Sequence, residues 1–574
     1  MTDSSAVDTH PFSTRTLHLT FLLICGCLLL LLGLADVGLT DRDEGSNAGA
    51  AREMLETGDW ISPTLNYEPR YAKPALSYWI IAGTYALFGV NELTARLPSV
   101  AFGLALLVLH YLFLHRLLGP ALAFCGSLVL LLNVEFVGIH RLVLTDPELV
   151  FFTTLATYGF WLGFCDPGRD RRFLWLFYIG MTLGTLAKGP LGILVPLLGI
   201  VPYLTLTRQW KTYFAEGRPL LGWTVCFLIA VPWYLAMLAL HGADYVAAAQ
   251  ANTAGRFANP MEGHGGTLLF YFPILLLGFF PWSGLLPAAL WHTLKEWKSF
   301  RTGETGARGE QGLLLFCALW VSGIFLFFTL SATRLPHYVL PLFPPAALLV
   351  AVLWSQFLKN ARPDGLTIST RLVLVTGYVL SLVLAFTPVI YESVRHQIAV
   401  HFPAAEKVDV GPTPIVLAIV ILLGVATFRY LVREKARRPQ AFWVLSGMMG
   451  TFLLIVILFA LPRFGKYFVN PPQELATIAG FNLEPQDTLI HYGRKLPSLT
   501  FYAKRKVQFI NPGEHEKFVP HLEKNGRLMI ILPANLHDRL PDPVAAFPPV
   551  LQRYGFLLLS REPMVGGVQE GSKN

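Results

Sequence analysis

Apolar stretches recur along almost the whole chain, at roughly 17–35, 75–90, 96–116, 120–138, 147–164, 173–187, 189–206, 220–240, 267–290, 312–331, 337–358, 371–391, 412–431 and 441–461. About 20 apolar residues in a helix cross the hydrocarbon core of a bilayer. Lipid offers the backbone no water to bond, so a chain of such stretches satisfies its N–H and C=O groups within helices. The pattern predicts a polytopic α-helical membrane protein. Composition agrees: 53% of residues are hydrophobic and only 14% charged, against about 25% charged in ordinary soluble domains. The formal charge of +8 raises the question of nucleic acid. Because the Lys and Arg residues sit in short loops between apolar runs, membrane lipids are the expected partners and nucleic acid is not.

The first run is long for the core of a cleaved signal peptide, and residues 36–43 offer no clear cleavage pattern, so it reads as a retained first helix. The six cysteines (Cys25, Cys27, Cys125, Cys165, Cys226 and Cys317) all lie in apolar runs or at their ends. They make neither a disulfide framework nor a metal knuckle and read as small hydrophobes.

The stretch 75–90 is short, begins at Pro74 and is rich in Tyr and Trp, and whether it crosses sets the orientation of everything after it. Cytoplasmic loops carry an excess of Lys and Arg. With 75–90 lying along the interface and the N-terminus inside, nineteen cations fall in cytoplasmic loops, from Arg116 to Arg438. Only six (Arg141, Lys188, Arg256, Arg334, Arg395 and Lys407) fall in the opposite loops between 139 and 411. That balance favours thirteen crossings over fourteen. It makes residues 1–467 a transmembrane domain, with a long outer loop at 36–95, and 468–574 a periplasmic domain. The tail alternates helix-like and strand-like pieces at 472–480, 487–492, 506–510, 527–532 and 555–560, bounded by Pro, Gly and Asn, which predicts a small α/β fold.

Four of the six outer cations stand beside helix ends in compact polar clusters. These are His140-Arg141 before Thr145-Asp146-Pro147, Lys188-Gly189-Pro190, Gly255-Arg256-Phe257, and Arg334 through His337 to Tyr338. The first outer loop adds Asp43 and Glu44 after Asp41-Arg42, and Arg70-Tyr71 before Lys73-Pro74. Any one cation reads equally well as a snorkelling anchor to headgroup phosphates. Five clusters on one face read instead as a cavity for an anionic group beside a carboxylate, because ionisable residues at membrane depth usually face a substrate, a partner or water. Arg and Lys bind phosphate oxygens by charge-assisted hydrogen bonds. Asp43 and Glu44 also suit the start of a helix at 48–56, and Asp146-Pro147 is itself a good helix start.

In order along the chain, Asp43-Glu44-Gly45-Ser46-Asn47-Ala48, Ala51-Arg52-Glu53-Met54-Leu55, Gly58-Asp59-Trp60, Lys73-Pro74, Arg96-Leu97-Pro98, Leu144-Thr145-Asp146, Ala187-Lys188-Gly189, Pro232-Trp233-Tyr234, Arg256-Phe257 and Leu335-Pro336-His337-Tyr338 form a series. It resembles the lipid A aminoarabinose transferases, GT-C membrane glycosyltransferases related to protein O-mannosyltransferases. The resemblance implies a GT-C fold of about thirteen membrane helices, N-terminus inside, with a periplasmic α/β C-terminal domain. It implies an undecaprenyl-phosphate-sugar donor, with Asp43 as the key carboxylate and Lys73, Lys188 and Arg256 around the carrier phosphate. Asp146 and Tyr338 would line the same cavity. The chain departs from the family's Asp-Glu-Thr-Arg-Tyr-Ala at Gly45, Ser46 and Asn47, and carries Ala72 where the family has Glu before Lys-Pro. The donor sugar therefore stays open, as does the acceptor: lipid A, another envelope glycolipid, or protein.

The expected chemistry is one transfer step with no obligatory cofactor. Arg70, Tyr71, Lys73, Glu44, Lys188, Arg256, Arg334 and Tyr338 are the candidates for substrate and lipid-phosphate binding, and Asp43 and Asp146 for catalysis. A divalent cation held by Asp43, Glu44 and His264 has no close-spaced ligand motif behind it. A transporter or lipid flippase is the alternative of another class; it would place its charges nearer the bilayer midplane within repeated halves, and no repeat is visible.

Overall fold

The computed structural model describes residues 13–260, 265–295, 309–359, 363–400 and 402–562. Nine helices among them are long and apolar enough to cross a membrane, and two sharply bent pairs, Leu191–Leu206 with Trp210–Glu216 and Tyr271–Gly278 with Trp282–Lys295, bring the number to eleven. The difference from thirteen lies in two of the expected stretches. Leu174–Lys188 has 15 residues, and 120–138 divides into Pro120–Leu131 and Val134–Ile139. At 1.5 Å per residue neither reaches the ~30 Å of the hydrocarbon core as a straight helix. Leu76–Phe88, with 13 residues, is likewise too short.

Local signals set several boundaries that matter for the site. Asn91 and Thr94 form a reciprocal capping box that starts the helix Glu92–Leu118. Pro147 occupies the first turn of the helix Asp146–Phe160, where a missing N–H costs nothing. Gly189, at φ 68°, ends Leu174–Lys188 and leaves Lys188 in its last turn.

The long outer loop folds as the helix Asp43–Thr57, a two-strand hairpin of β1 (Thr64–Leu65) and β2 (Glu68–Pro69), and the helix Leu76–Phe88. Asp43–Thr57 is polar on average, yet it is buried from Glu44 to Met54. It packs against Leu76–Phe88 and against the helix Ser498–Ala503 of the tail.

The last apolar span runs through two π-helical turns into the helix Asn470–Asn482. Five strands follow: β3 (Thr488–Tyr492), β4 (Val507–Ile510), β5 (Leu528–Pro533), β6 (Pro549–Arg553) and β7 (Phe556–Ser560). They form one sheet in the order β4-β3-β5-β7-β6, parallel around β3 and antiparallel around β7. Alternate residues serve opposite faces. Leu489 and Ile531 pack against Leu475 and Ala479 of Asn470–Asn482, while Ile490, Tyr492, Ile530 and Leu532 pack with Phe518 and Val544. Both faces are covered, as a mixed sheet with parallel strands requires.

Candidate active site

Three carboxylate-bearing or cationic helix ends converge where the outer loop meets the membrane helices. Asp43 opens one helix, Asp146 opens a second, and Lys188 closes a third. Lys188 Nζ lies 2.6 Å from Asp146 Oδ1, with both side chains almost fully buried. His337 Nε2 stands 3.7 Å from the other oxygen, Asp146 Oδ2. Lys188 also sits over the ring of Tyr338, 5.0 Å from its centroid. The Tyr338 hydroxyl accepts from Arg256 at 3.4 Å. A narrow polar pocket is lined by Asp43, Asn47, Lys73, Asp146, Lys188, Arg256, His337 and Tyr338. Asp43 is exposed at its rim.

Beside it lies a second, larger space of about 360 Å³ with predominantly apolar walls. Leu191, Leu194, Trp233, Tyr245, Phe257 and Phe327 line it, as does Tyr71. Lys73, Lys188, Arg256 and Tyr338 line both spaces. Cations and a hydroxyl thus stand at the seam between an apolar cavity and a polar one, an arrangement that suits a long apolar chain ending in phosphate.

The electrostatics of Lys73 carry the same information. Although part of its surface stays open to solvent, burial, followed by the neighbouring charges of Lys188 and Arg256, pushes its ammonium down to about 7; Asp43 and Asp146 oppose the shift. Three cations held this close, with only two carboxylates facing them, favour an anion between them.

The structure gathers six of the ten expected site residues (Asp43, Lys73, Asp146, Lys188, Arg256 and Tyr338) around the polar pocket, and puts Tyr71 on the apolar cavity. Arg70 stands one step back, donating to Tyr78 Oη at 3.0 Å and to Asn47 Oδ1 at 3.5 Å. Glu44 and Arg334 go elsewhere. Both Glu44 oxygens accept from Arg96 at 2.9 Å, and they also accept from the Thr40 and Val143 N–H groups. Burial alone would raise the Glu44 carboxyl, but Arg96 holds it below the usual range. Glu44 is therefore a staple beneath the site. Arg334 donates to the carbonyls of Gly266 and Thr329. Arg141 similarly caps the last carbonyls of the first helix, Leu29 and Leu30.

Among the described residues no group of three or more His, Cys, Asp or Glu gathers to hold a metal ion; His264 lies outside the described residues. His337 and Asn47 are pocket residues that the reading of the sequence left out of the candidate set. His337 was legible only as the neighbour of Tyr338 in Leu335-Pro336-His337-Tyr338.

Comparison with known proteins gives the arrangement a context. Residues 48–247 match the family model described as dolichyl-phosphate-mannose-protein mannosyltransferase. The undecaprenyl phosphate-alpha-4-amino-4-deoxy-L-arabinose arabinosyl transferase of Pseudomonas paraeruginosa is 30% identical over 436 residues, 75% of each chain. A protein of Pseudomonas fluorescens with that name, numbered 1, is 30% identical over 472 residues, 80% of this chain and 79% of its own. In fold, the crystal structure of ArnT from Cupriavidus metallidurans bound to undecaprenyl phosphate superposes with a TM-score of 0.74 at 22% identity, covering 95% of this chain and 97% of that one. The apo oligosaccharyltransferase of Archaeoglobus fulgidus gives 0.51 at 10% identity, covering 91% and 70%.

Proposed function

The chain belongs to the family of the undecaprenyl phosphate-alpha-4-amino-4-deoxy-L-arabinose arabinosyl transferases, and on that premise we propose that it moves a sugar from undecaprenyl phosphate onto lipid A or another envelope glycolipid at the periplasmic face of the inner membrane. It is a multi-pass membrane glycosyltransferase of the GT-C fold. The observation that carries the reading is the shared wall of Lys73, Lys188, Arg256 and Tyr338 between the apolar cavity and the polar pocket. The polyprenyl chain lies in the first, the phosphate at the seam, and the sugar at the rim of the second, where Asp43 is exposed.

In the step, the bond between the anomeric carbon and the carrier phosphate oxygen breaks and a bond to the acceptor oxygen forms. The leaving phosphate gains charge as its bond opens, and cations already in place stabilise that charge without reorganising. When the acceptor is a hydroxyl, its proton passes to Asp43, which stands exposed at the rim as a general base. When the acceptor is an ionised phosphate, no base is needed, and Asp43 orients it or stabilises the oxocarbenium-like carbon. Asp146, buried and paired with Lys188, holds that cation in place.

The test is transfer by purified full-length protein in lipid nanodiscs, from undecaprenyl-phosphate-4-amino-4-deoxy-L-arabinose first and then other undecaprenyl-phosphate sugars, to lipid A, read by product mass. The wild type transfers, and Asp43→Asn loses about 10²–10⁴ of the rate, the range of a general base. Full activity of Asp43→Asn overturns the role of Asp43. Absence of transfer from every such donor, together with net movement of labelled lipid between leaflets, overturns the function in favour of a flippase.

A further inference from the structure

Asp43 is reached through a short segment that the tail of the chain holds from outside the membrane domain. Gly38 N–H donates to Asn470 Oδ1 at 2.9 Å, and Leu39 N–H to the Tyr502 hydroxyl at 2.9 Å. Gln473 Nε2 donates to the Leu39 carbonyl. Asp41 is gripped at both oxygens by one residue: Ser498 N–H donates to Oδ1 and Ser498 Oγ to Oδ2, each at 2.7 Å. Past Asp43 the contact resumes. Gly45 lies so close to the Ser498 backbone that a Cβ built on it would come within 2.5 Å of Ser498 Cα. Ser498 therefore touches the chain on both sides of Asp43, two residues before it and two after. The cations at the phosphate seam stand on other segments of the chain.

We infer that Asp41 and Ser498 are positioning residues for the transfer step: the C-terminal α/β unit sets where the Asp43 carboxylate stands relative to the reacting carbon. The inference rests on the role proposed for Asp43. Reacting groups are productive within narrow limits, and a displacement of about 1 Å costs on the order of a hundredfold in rate. A two-point hydrogen bond two residues from Asp43 is a direct means of holding such limits, because only Arg42 lies between. The grip works through hydrogen bonds rather than through the Asp41 charge. An Asn at this position keeps an acceptor for the Ser498 N–H and offers its amide to Ser498 Oγ, which accepts as readily as it donates.

The experiment measures two quantities on full-length wild type, Asp41→Ala, Asp41→Asn and Ser498→Ala in nanodiscs: turnover with saturating lipid-linked donor, and the dissociation constant for undecaprenyl phosphate alone. Asp41→Ala and Ser498→Ala lower turnover by roughly tenfold or more while the dissociation constant stays within about twofold, since Lys73, Lys188 and Arg256 are untouched. Asp41→Asn recovers turnover to within about threefold of wild type. An Asp41→Asn as slow as Asp41→Ala overturns the inference, because the charge itself is then at work. So does wild-type turnover by Ser498→Ala, a parallel weakening of undecaprenyl phosphate binding, or a fall in activity that tracks a fall in folded protein by thermal unfolding. A wild type that transfers no sugar overturns the proposed function itself, and the positioning role with it.

Discussion

Lys188 has two candidate duties, and a pair of substitutions separates them. Its ammonium pairs with Asp146 at 2.6 Å, each side chain 5% exposed, yet it also lines both the apolar cavity and the polar pocket. Lys188→Met leaves the Asp146 carboxylate buried and without its closest cation. Breaking a buried pair in this way costs about 3–5 kcal/mol. The same substitution removes one charge-assisted hydrogen bond to the carrier phosphate, worth about 1.5–3 kcal/mol, or roughly 10- to 150-fold in affinity. Adding Asp146→Asn neutralises the stranded carboxylate. The double variant therefore regains most of the lost thermal stability but still binds undecaprenyl phosphate at least about tenfold more weakly than wild type. Asp146→Asn alone, which frees Lys188 for the ligand, binds at least as tightly as wild type. Direct titration of undecaprenyl phosphate into each purified variant, with a thermal unfolding curve for each, provides the readout. Wild-type affinity in the double variant would refute the argument and leave Lys188 as a structural partner of Asp146 alone.

Four further outcomes follow from the same geometry. The ligand-free Lys73 ammonium titrates at about 7 and a bound phosphate raises it. Protons are thus taken up on binding, and affinity for undecaprenyl phosphate falls as pH rises from about 7 to 9; Lys73→Met flattens that slope in the same titration. In folding, the lowered value means the unfolded chain binds the extra proton between about 7 and 10.5, so the contribution of Lys73 to stability rises with pH across that window, and base titration of the unfolding curve of wild type against Lys73→Met checks the sign. Gly45→Ala forces a methyl against Ser498 Cα and lowers stability by about 1–3 kcal/mol, seen as a lower unfolding temperature. Arg256→Ala weakens undecaprenyl phosphate binding at least about tenfold, whereas Arg334→Ala, whose guanidinium serves the Gly266 and Thr329 carbonyls, lowers thermal stability and leaves that binding within about twofold.

The spans were largely legible because lipid allows few solutions and they show as apolar runs: up to eleven of the thirteen expected crossings stand among the described residues. Where a span is bent or broken, as at 120–138, a run of hydropathy carries no record of the break. In the tail, the segments containing β3, β4, β5 and β7 were read as strands from their Leu, Ile and Val runs. The edge strand β6 was missed: it begins at Pro549 and ends in Gln552 and Arg553, as edge strands tolerate. Six of the candidate residues gather at one pocket, and most of them were conspicuous in the sequence as ionisable groups beside apolar runs. Glu44 shows the limit. It adjoins Asp43 on one helix, and successive helical residues point about 100° apart, so one carboxylate meets the pocket while its neighbour turns inward to Arg96. Without the partner from the helix Glu92–Leu118, nothing in the pair Asp43-Glu44 says which is which.

The departures from the aminoarabinose pattern now have physical addresses. Gly45 lies where any side chain would collide with Ser498, so the Thr of the family pattern does not fit the approach this chain makes between its outer loop and its tail. Asn47, in place of Tyr, donates to the Val143 carbonyl at 3.0 Å and accepts from Arg70 at 3.5 Å, tying the loop before Asp146 to the loop before Lys73. None of the changes replaces Lys73, Lys188, Arg256 or Tyr338, and of the four only Ala72 stands on the wall of the apolar cavity, next to Lys73. On the proposed reading, the groups that take the carrier phosphate are unchanged, and among the changed positions only Asn47 lines the polar pocket. Binding energy from the lipid phosphate is available whatever sugar it bears, and discrimination between sugars depends on contacts that differ in the transition state. On the proposed reading those contacts lie on the side lined by Asp43, Asn47 and His337, where Asn47 stands in place of the Tyr of the family pattern.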